Sequence, residues 1–134
     1  MPYLLDTDTI SAVLKPRPSL RVARELAMRP ASEMYTSAIN LGELVFGAVR
    51  HDRADLLVRI QAITDVLPVL PFDDVAAQRF GRLKAELERR GTPVAEPDLR
   101  IASIALANDL TLVTGNVRHF ARIPDLTIEN WLLE

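Results

Sequence analysis

The chain has 134 residues, 49% hydrophobic and 25% charged, with 16 basic against 18 acidic side chains and a formal net charge of −2. That length suits one domain with a core of its own, and the composition excludes a disordered chain. The lack of cysteine excludes disulfides, thiolate metal sites and a cysteine nucleophile and suits a reducing compartment; with no signal-peptide pattern and no apolar stretch of spanning length, a cytoplasmic location and no membrane association are expected.

Tyr3-Leu4-Leu5-Asp6 reads as a strand, and Thr7-Asp8-Thr9 as a turn into a helix over Ile10 to Leu14, with Asp8 available as its N-cap. Pro16 and Pro18 precede a second helix through Leu20, Val22, Ala23, Leu26 and Ala27 that ends near Arg29-Pro30, and Met34 to Ser37 can form a strand. From Asn40, the apolar residues Leu41, Leu44, Val45, Ala48 and Val49 share one helical face, and Leu56, Ile60 and Ile63 continue with another helix. Val66 to Leu70 reads as a strand whose Pro68 demotes it to an edge or a break. Asp73 or Asp74 caps a helix carrying Ala76, Phe80, Leu83 and Leu87, which Gly91 stops, and Pro97 opens one carrying Ile101, Ile104 and Ala105. Leu110 to Thr114 is a strand closed by Gly115-Asn116, and Leu126 to Ile128 forms a last short one before Trp131. The alternation predicts a single α/β domain over residues 1–134 with a mostly parallel sheet between helices.

In such sheets the crevice lies beyond the carboxyl ends of the strands. Asp6 and Asp8 follow the first strand, Asn116 follows a later one, and Glu43, Glu96 and Asp98 stand near helix starts. Local explanations compete: Asn40 to Glu43 has the spacing of a capping box, Glu96 and Asp98 complement a helix dipole, and Asp73-Asp74 is accounted for by capping alone. Asp6 is hardest to dismiss, because a carboxylate beside a sheet core is costly without a partner. Convergent carboxylates repel unless a cation neutralises them, and oxygen donors suit Mg²⁺ or Mn²⁺, which point to metal-assisted phosphoryl chemistry. No Ser-His-Asp order or phosphate-cradling glycine loop offers another route, and His51 and His119 stand on separate segments.

Leu4-Leu5-Asp6-Thr7-Asp8-Thr9-Ile10, Ser37 to Leu44, Pro97 to Ala102 and Leu112 to Phe120 together resemble the PIN-domain ribonucleases, in particular the VapC-type toxins of toxin–antitoxin pairs. The resemblance covers nearly the whole chain and implies a PIN-like three-layer α/β/α sandwich. It also implies a Mg²⁺- or Mn²⁺-dependent endoribonuclease with Asp6, Glu43 and Asp98 as metal ligands and Asn116 as the fourth polar member. An RNA substrate, a cognate antitoxin and a homodimer follow from the same likeness. Asp8 stands where Asn is usual in the family, and neither Asn116 nor His119 supplies the acid that some relatives carry there. Thr114 is a candidate for orienting a ligand or a water.

Two rival readings use the same residues. Leu5-Asp6-Thr7-Asp8 resembles the motif of haloacid-dehalogenase-type phosphatases, with Asp6 as nucleophile, but that chemistry needs a lysine, and Lys15 and Lys84 are expected to be remote from the strand ends. A non-enzymatic interaction module would use every acid as a cap or dipole partner. Setting aside Asp6, Asp8, Glu43, Glu96 and Asp98 leaves 13 acids against the 16 bases, a surplus of three; arginines such as Arg17, Arg21, Arg24 and Arg118 can then border an RNA groove despite the overall charge.

Overall fold

The computed structural model describes residues 2–133. Met1 and Glu134, the ends of the expected domain, lie outside the described residues. In chain order the elements are β1 (Tyr3–Leu5), α1 (Thr7–Leu14), α2 (Leu20–Ala27), a 3-10 turn (Ala31–Glu33), β2 (Met34–Ser37), α3 (Ala38–Arg50), α4 (Ala54–Thr64), β3 (Val69–Leu70), α5 (Asp74–Arg89), α6 (Glu96–Ala107), β4 (Thr111–Val113), α7 (Val117–Phe120) and β5 (Ile128–Glu129).

The strands form one parallel sheet in the order β3-β2-β1-β4-β5, with Tyr3 beside Met34 and Thr111 and Leu5 beside Val113. Successive side chains of a strand point to opposite faces, so the short apolar runs feed two cores. Leu4 and Leu112 join Ala76, Leu83 and Leu87 of α5, the apolar residues of α6, and Phe120; Tyr3, Leu5 and Val113 join α1, α2, α3 and α4 through Ile10, Val22, Leu44 and Ile60. These are the three expected layers. Strand order reverses at β1 and β4, and the crevice beyond a parallel sheet opens at that switch point. The residues after β1 and β4 therefore face one another there.

Local chemistry moves several boundaries. Asp6, not Asp8, caps α1 by accepting from Thr7 N, and Ser37, not Asn40, caps α3 by accepting from Asn40 N at 3.2 Å. The capping-box reading of Asn40 to Glu43 is therefore corrected: the helix starts three residues earlier, at a better cap. Glu96 rather than Pro97 is the first residue of α6, while Asp73 caps α5 as expected, accepting from Ala76 N at 2.9 Å. The strand read over Val66 to Leu70 shrinks to Val69–Leu70 at the sheet edge, because Leu67 N still bonds back to Ile63 O and Pro68 has no N–H to give. The final strand is Ile128–Glu129, two residues later than Leu126. Val49, assigned to the core face of α3, is exposed; Asn40 takes a buried place on that face beside Leu44 and Ala48.

Candidate active site

Asp6 stands at the hinge between β1 and α1. Its backbone N donates to Val113 O at 2.9 Å, tying it to β4, and its side chain is only 4% exposed. The carboxylate is held at both oxygens. Oδ1 accepts from Thr7 N at 2.9 Å and from Asn40 Nδ2 at 2.8 Å, and Oδ2 accepts from the Thr114 hydroxyl at 2.7 Å. A carboxylate offers about four lone-pair sites, so these bonds fix its orientation and leave one acceptor direction, on Oδ2. Among the described residues no ion pair reaches Asp6, Asp8 or Glu43. Burial accordingly pushes the Asp6 carboxyl up from 3.8 to about 6, further raised by the Asp8 charge and opposed by the three donors.

Glu43 enters through an intermediary. Thr7 Oγ donates to Glu43 Oε1 at 2.5 Å while accepting from Asn40 Nδ2 at 3.0 Å, so one amide, fully buried on α3, serves both Asp6 and the threonine that holds Glu43. Ser37 fixes that amide in turn: its hydroxyl donates to Asn40 Oδ1 at 2.6 Å, which leaves Nδ2 to point at Asp6. Asn40 and Thr7 are contacts of the candidate site that sequence reasoning missed. The available signal was an asparagine at the helical spacing of the buried Leu44 and Ala48, a position that an amide occupies only with partners.

Asp8 crosses to the other loop. Its Oδ2 accepts from Gly115 N at 2.9 Å. Gly115 has no room for a side chain, since a Cβ there would stand 2.6 Å from Leu132 Cδ1 and 3.0 Å from Asp8 Oδ2. Thr114, besides serving Asp6, accepts from Asn116 N at 3.0 Å, which sets the start of α7. Asn116 itself is exposed beside the site, and its side chain makes no hydrogen bond among the described residues.

The remaining acids divide. Asp98, in the first turn of α6, lies 3.2 Å from His119 Nδ1; burial raises its carboxyl above the ordinary value, against the lowering effect of His119. The segment carrying His119 and the stretch Pro97 to Ala102, separate in sequence, thus meet. Glu96 does not join the cluster. It is half exposed and pairs with Arg100 at 3.3 Å and Lys84 at 3.7 Å, so Lys84, expected to be remote, reaches the start of α6 but stops at Glu96. Among the described residues no three Asp, Glu or His side chains are gathered as a metal cluster. The donors at Asp6, Glu43 and Asp98 are all carboxylate oxygens, and Asp6 is a buried anion without a counterion, a set whose chemistry fits a hard divalent cation.

The chain matches the PIN domain over residues 3–126. It belongs to the PIN-domain family. This PIN domain is 38% identical over 130 residues to the tRNA(fMet)-specific endonuclease VapC of Salmonella typhimurium, covering 96% of this chain and 97% of that protein. It is 34% identical over 131 residues to Ribonuclease VapC2 of Haemophilus influenzae, covering 97% and 98%. Among solved structures, DNA-bound VapBC from Salmonella typhimurium shares the fold with a TM-score of 0.89 and 36% identity over 98% of each chain. VapBC2 from Rickettsia felis, bound to a fragment of promoter DNA, gives 0.88 with 30% identity over 98% and 99%. The PIN domain is therefore of the VapC type, and the likeness to haloacid-dehalogenase phosphatases is confined to one peptide.

Proposed function

We propose that this PIN domain is a metal-dependent endoribonuclease, the toxin of a toxin–antitoxin pair, with Asp6, Glu43 and Asp98 holding Mg²⁺ or Mn²⁺ and Asn116 completing the catalytic set. One observation carries the reading: a carboxylate buried at the switch point, clamped at both oxygens and matched by no positive side chain among the described residues. Isolating such a charge is destabilising unless a ligand uses it. When bound, a divalent ion supplies Lewis-acid chemistry, lowering the pKa of water and offsetting phosphodiester charge. The chain's own residues orient the donors: Asn40 and Thr114 hold Asp6, Thr7 holds Glu43, and Asp8 anchors the loop that presents Asn116.

Relatives named as ribonucleases and tRNA(fMet)-specific endonucleases support RNA as the substrate class, and the VapBC complexes support a cognate antitoxin. An apolar groove of about 380 Å³ beside Glu43, with Leu14, Gly47, Leu56 and Ile60 in its walls, suits that partner. The reading includes a homodimer and a cytoplasmic location. No helix among the described residues is long and apolar enough to cross a membrane.

Protein freed of antitoxin should cleave RNA in Mg²⁺ and lose the activity in EDTA. Asp6→Asn should lower turnover more than about a hundredfold, beyond the loss typical of an outer-sphere partner. Activity undiminished in EDTA or in Asp6→Asn would overturn the proposal. Calorimetric titration with Mn²⁺ of wild type and Asp98→Asn adds a readout free of activity, and no heat from either would favour an interaction module.

A further inference from the structure

A second concavity adjoins the site. Between the loop at residues 93–95 and the segment around α7 lies a cleft of about 300 Å³ onto which Asp98, Arg118, His119 and Arg122 open. Arg118 stands on α7 and Arg122 in the turn that follows it, and both line this cleft. Both are exposed, and among the described residues neither takes part in an ion pair or side-chain hydrogen bond. Some other arginines are neutralised by a neighbouring acid: Arg29 pairs with Glu25, Arg53 with Asp55, Arg90 with Glu86 and Arg100 with Glu96. The one acid in the cleft, Asp98, is already engaged by His119. Two permanent positive charges thus face a shared space whose one carboxylate, Asp98, lies against His119.

Guanidinium groups match phosphate oxygens in planar, paired hydrogen bonds and stay charged at any working pH. The opposite wall, Pro93, Val94 and Ala95, offers apolar surface on a backbone that proline restricts. Such a cleft, charged on one side and apolar on the other, suits a sugar–phosphate strand. Because Asp98 belongs both to this cleft and to the proposed catalytic set, an anion bound here is continuous with a strand that passes the reacting centre.

We propose that the Arg118–Arg122 cleft is the subsite for a backbone phosphate of single-stranded RNA adjacent to the scissile one. The inference rests on the endoribonuclease reading for the identity of the strand, and on the cleft alone for its chemistry. The arginines bind and position; they take no part in bond breaking, so their effect falls on binding and KM rather than on kcat.

The test uses the full chain freed of antitoxin and a fluorescein-labelled single-stranded RNA of mixed sequence, with binding followed by anisotropy in EDTA over a range of salt. Arg118→Ala and Arg122→Ala should each weaken binding about tenfold, as loss of a charge-assisted hydrogen bond does. The double variant should flatten the log Kd against log salt slope by about 0.7, the value of one single-strand phosphate contact. Arg59→Ala, on α4 in the opposite layer, should change neither, and in the cleavage assay the arginine variants should raise KM while keeping kcat. Wild-type Kd and salt slope in the double variant would overturn the subsite, as would arginine variants that weaken only antitoxin binding. Arginine-dependent binding by a wild type that cleaves no RNA would instead keep the subsite and refute the endoribonuclease reading.

Discussion

Asp6 combines two roles that conflict in the metal-free protein. Its backbone position at the end of β1 makes it the cap of α1, and its burial away from water makes its negative charge expensive even with Asn40 and Thr114 donating to it. With a folded-state pKa near 6 against 3.8 for the unfolded chain, the native state keeps a proton that the unfolded state has lost between those values. The associated stability is therefore complete below about pH 4 and lost as pH rises through about 6, a fall of about 2 to 3 kcal/mol from this residue in metal-free protein. Asp98 acts in the same direction, since burial raises it too. Urea unfolding in EDTA at a series of pH values should show this decline. Asp6→Asn, which keeps a capping oxygen but carries no titrating proton, should flatten it and be more stable than wild type near neutrality.

Among the elements, α3 contributes most to the order of the site. Its start is set by Ser37, whose hydroxyl accepts from Asn40 N and donates to Asn40 Oδ1, so a cap and a site orientation share one side chain. Ser37→Ala should cost about 1 kcal/mol of stability through the lost cap. Asn40→Ala should lower kcat about tenfold to a hundredfold, the range for a residue that positions a ligand rather than acting as one. Thermal melts beside steady-state kinetics separate the two outcomes, and an Asn40→Ala protein with wild-type kcat would remove Asn40 from the site. At the opposite end of α5, Gly91 adopts a φ of 70° and turns the chain toward the loop that walls the arginine cleft.

For the whole molecule, the last residues close the fold around the first. Trp131 is 2% exposed against Tyr3 of β1, with ring centroids 5.4 Å apart, and Arg29 lies 4.4 Å above the indole and 5.0 Å from the Tyr3 ring. Glu129 accepts from Trp131 Nε1 at 3.0 Å and stands 3.6 Å from Arg29. The next turn of chain places Leu132 on Gly115, directly behind the loop that Asp8 anchors. The tail thus couples stability to the site. Trp131→Ala should lower stability by about 3 kcal/mol or more, as buried aromatic truncations do, read as a shift in the denaturant midpoint at constant slope. A midpoint unchanged from wild type would show that the tail is not part of the cooperative unit.

The layered α/β architecture was readable from hydrophobic periodicity, because Leu4 and Leu5 in a strand, or Leu83 and Leu87 in a helix, report their own local geometry. So was Asp6 as a costly carboxylate beside a strand. The PIN-type motifs of this chain marked Glu43, Asp98 and Asn116 as its companions. What depended on tertiary structure was which groups touch. Asn40 reaches Asp6 across 34 residues of chain, Thr7 reaches Glu43 across 36, and Thr114 reaches Asp6 across 108. Tertiary structure likewise sent Glu96 to Arg100 and Lys84, brought His119 to Asp98, and left Arg118 and Arg122 unpaired in one cleft. Periodicity and capping act within a few residues, whereas a hydrogen-bond partner is chosen by the packing of layers that meet only when the sheet has assembled.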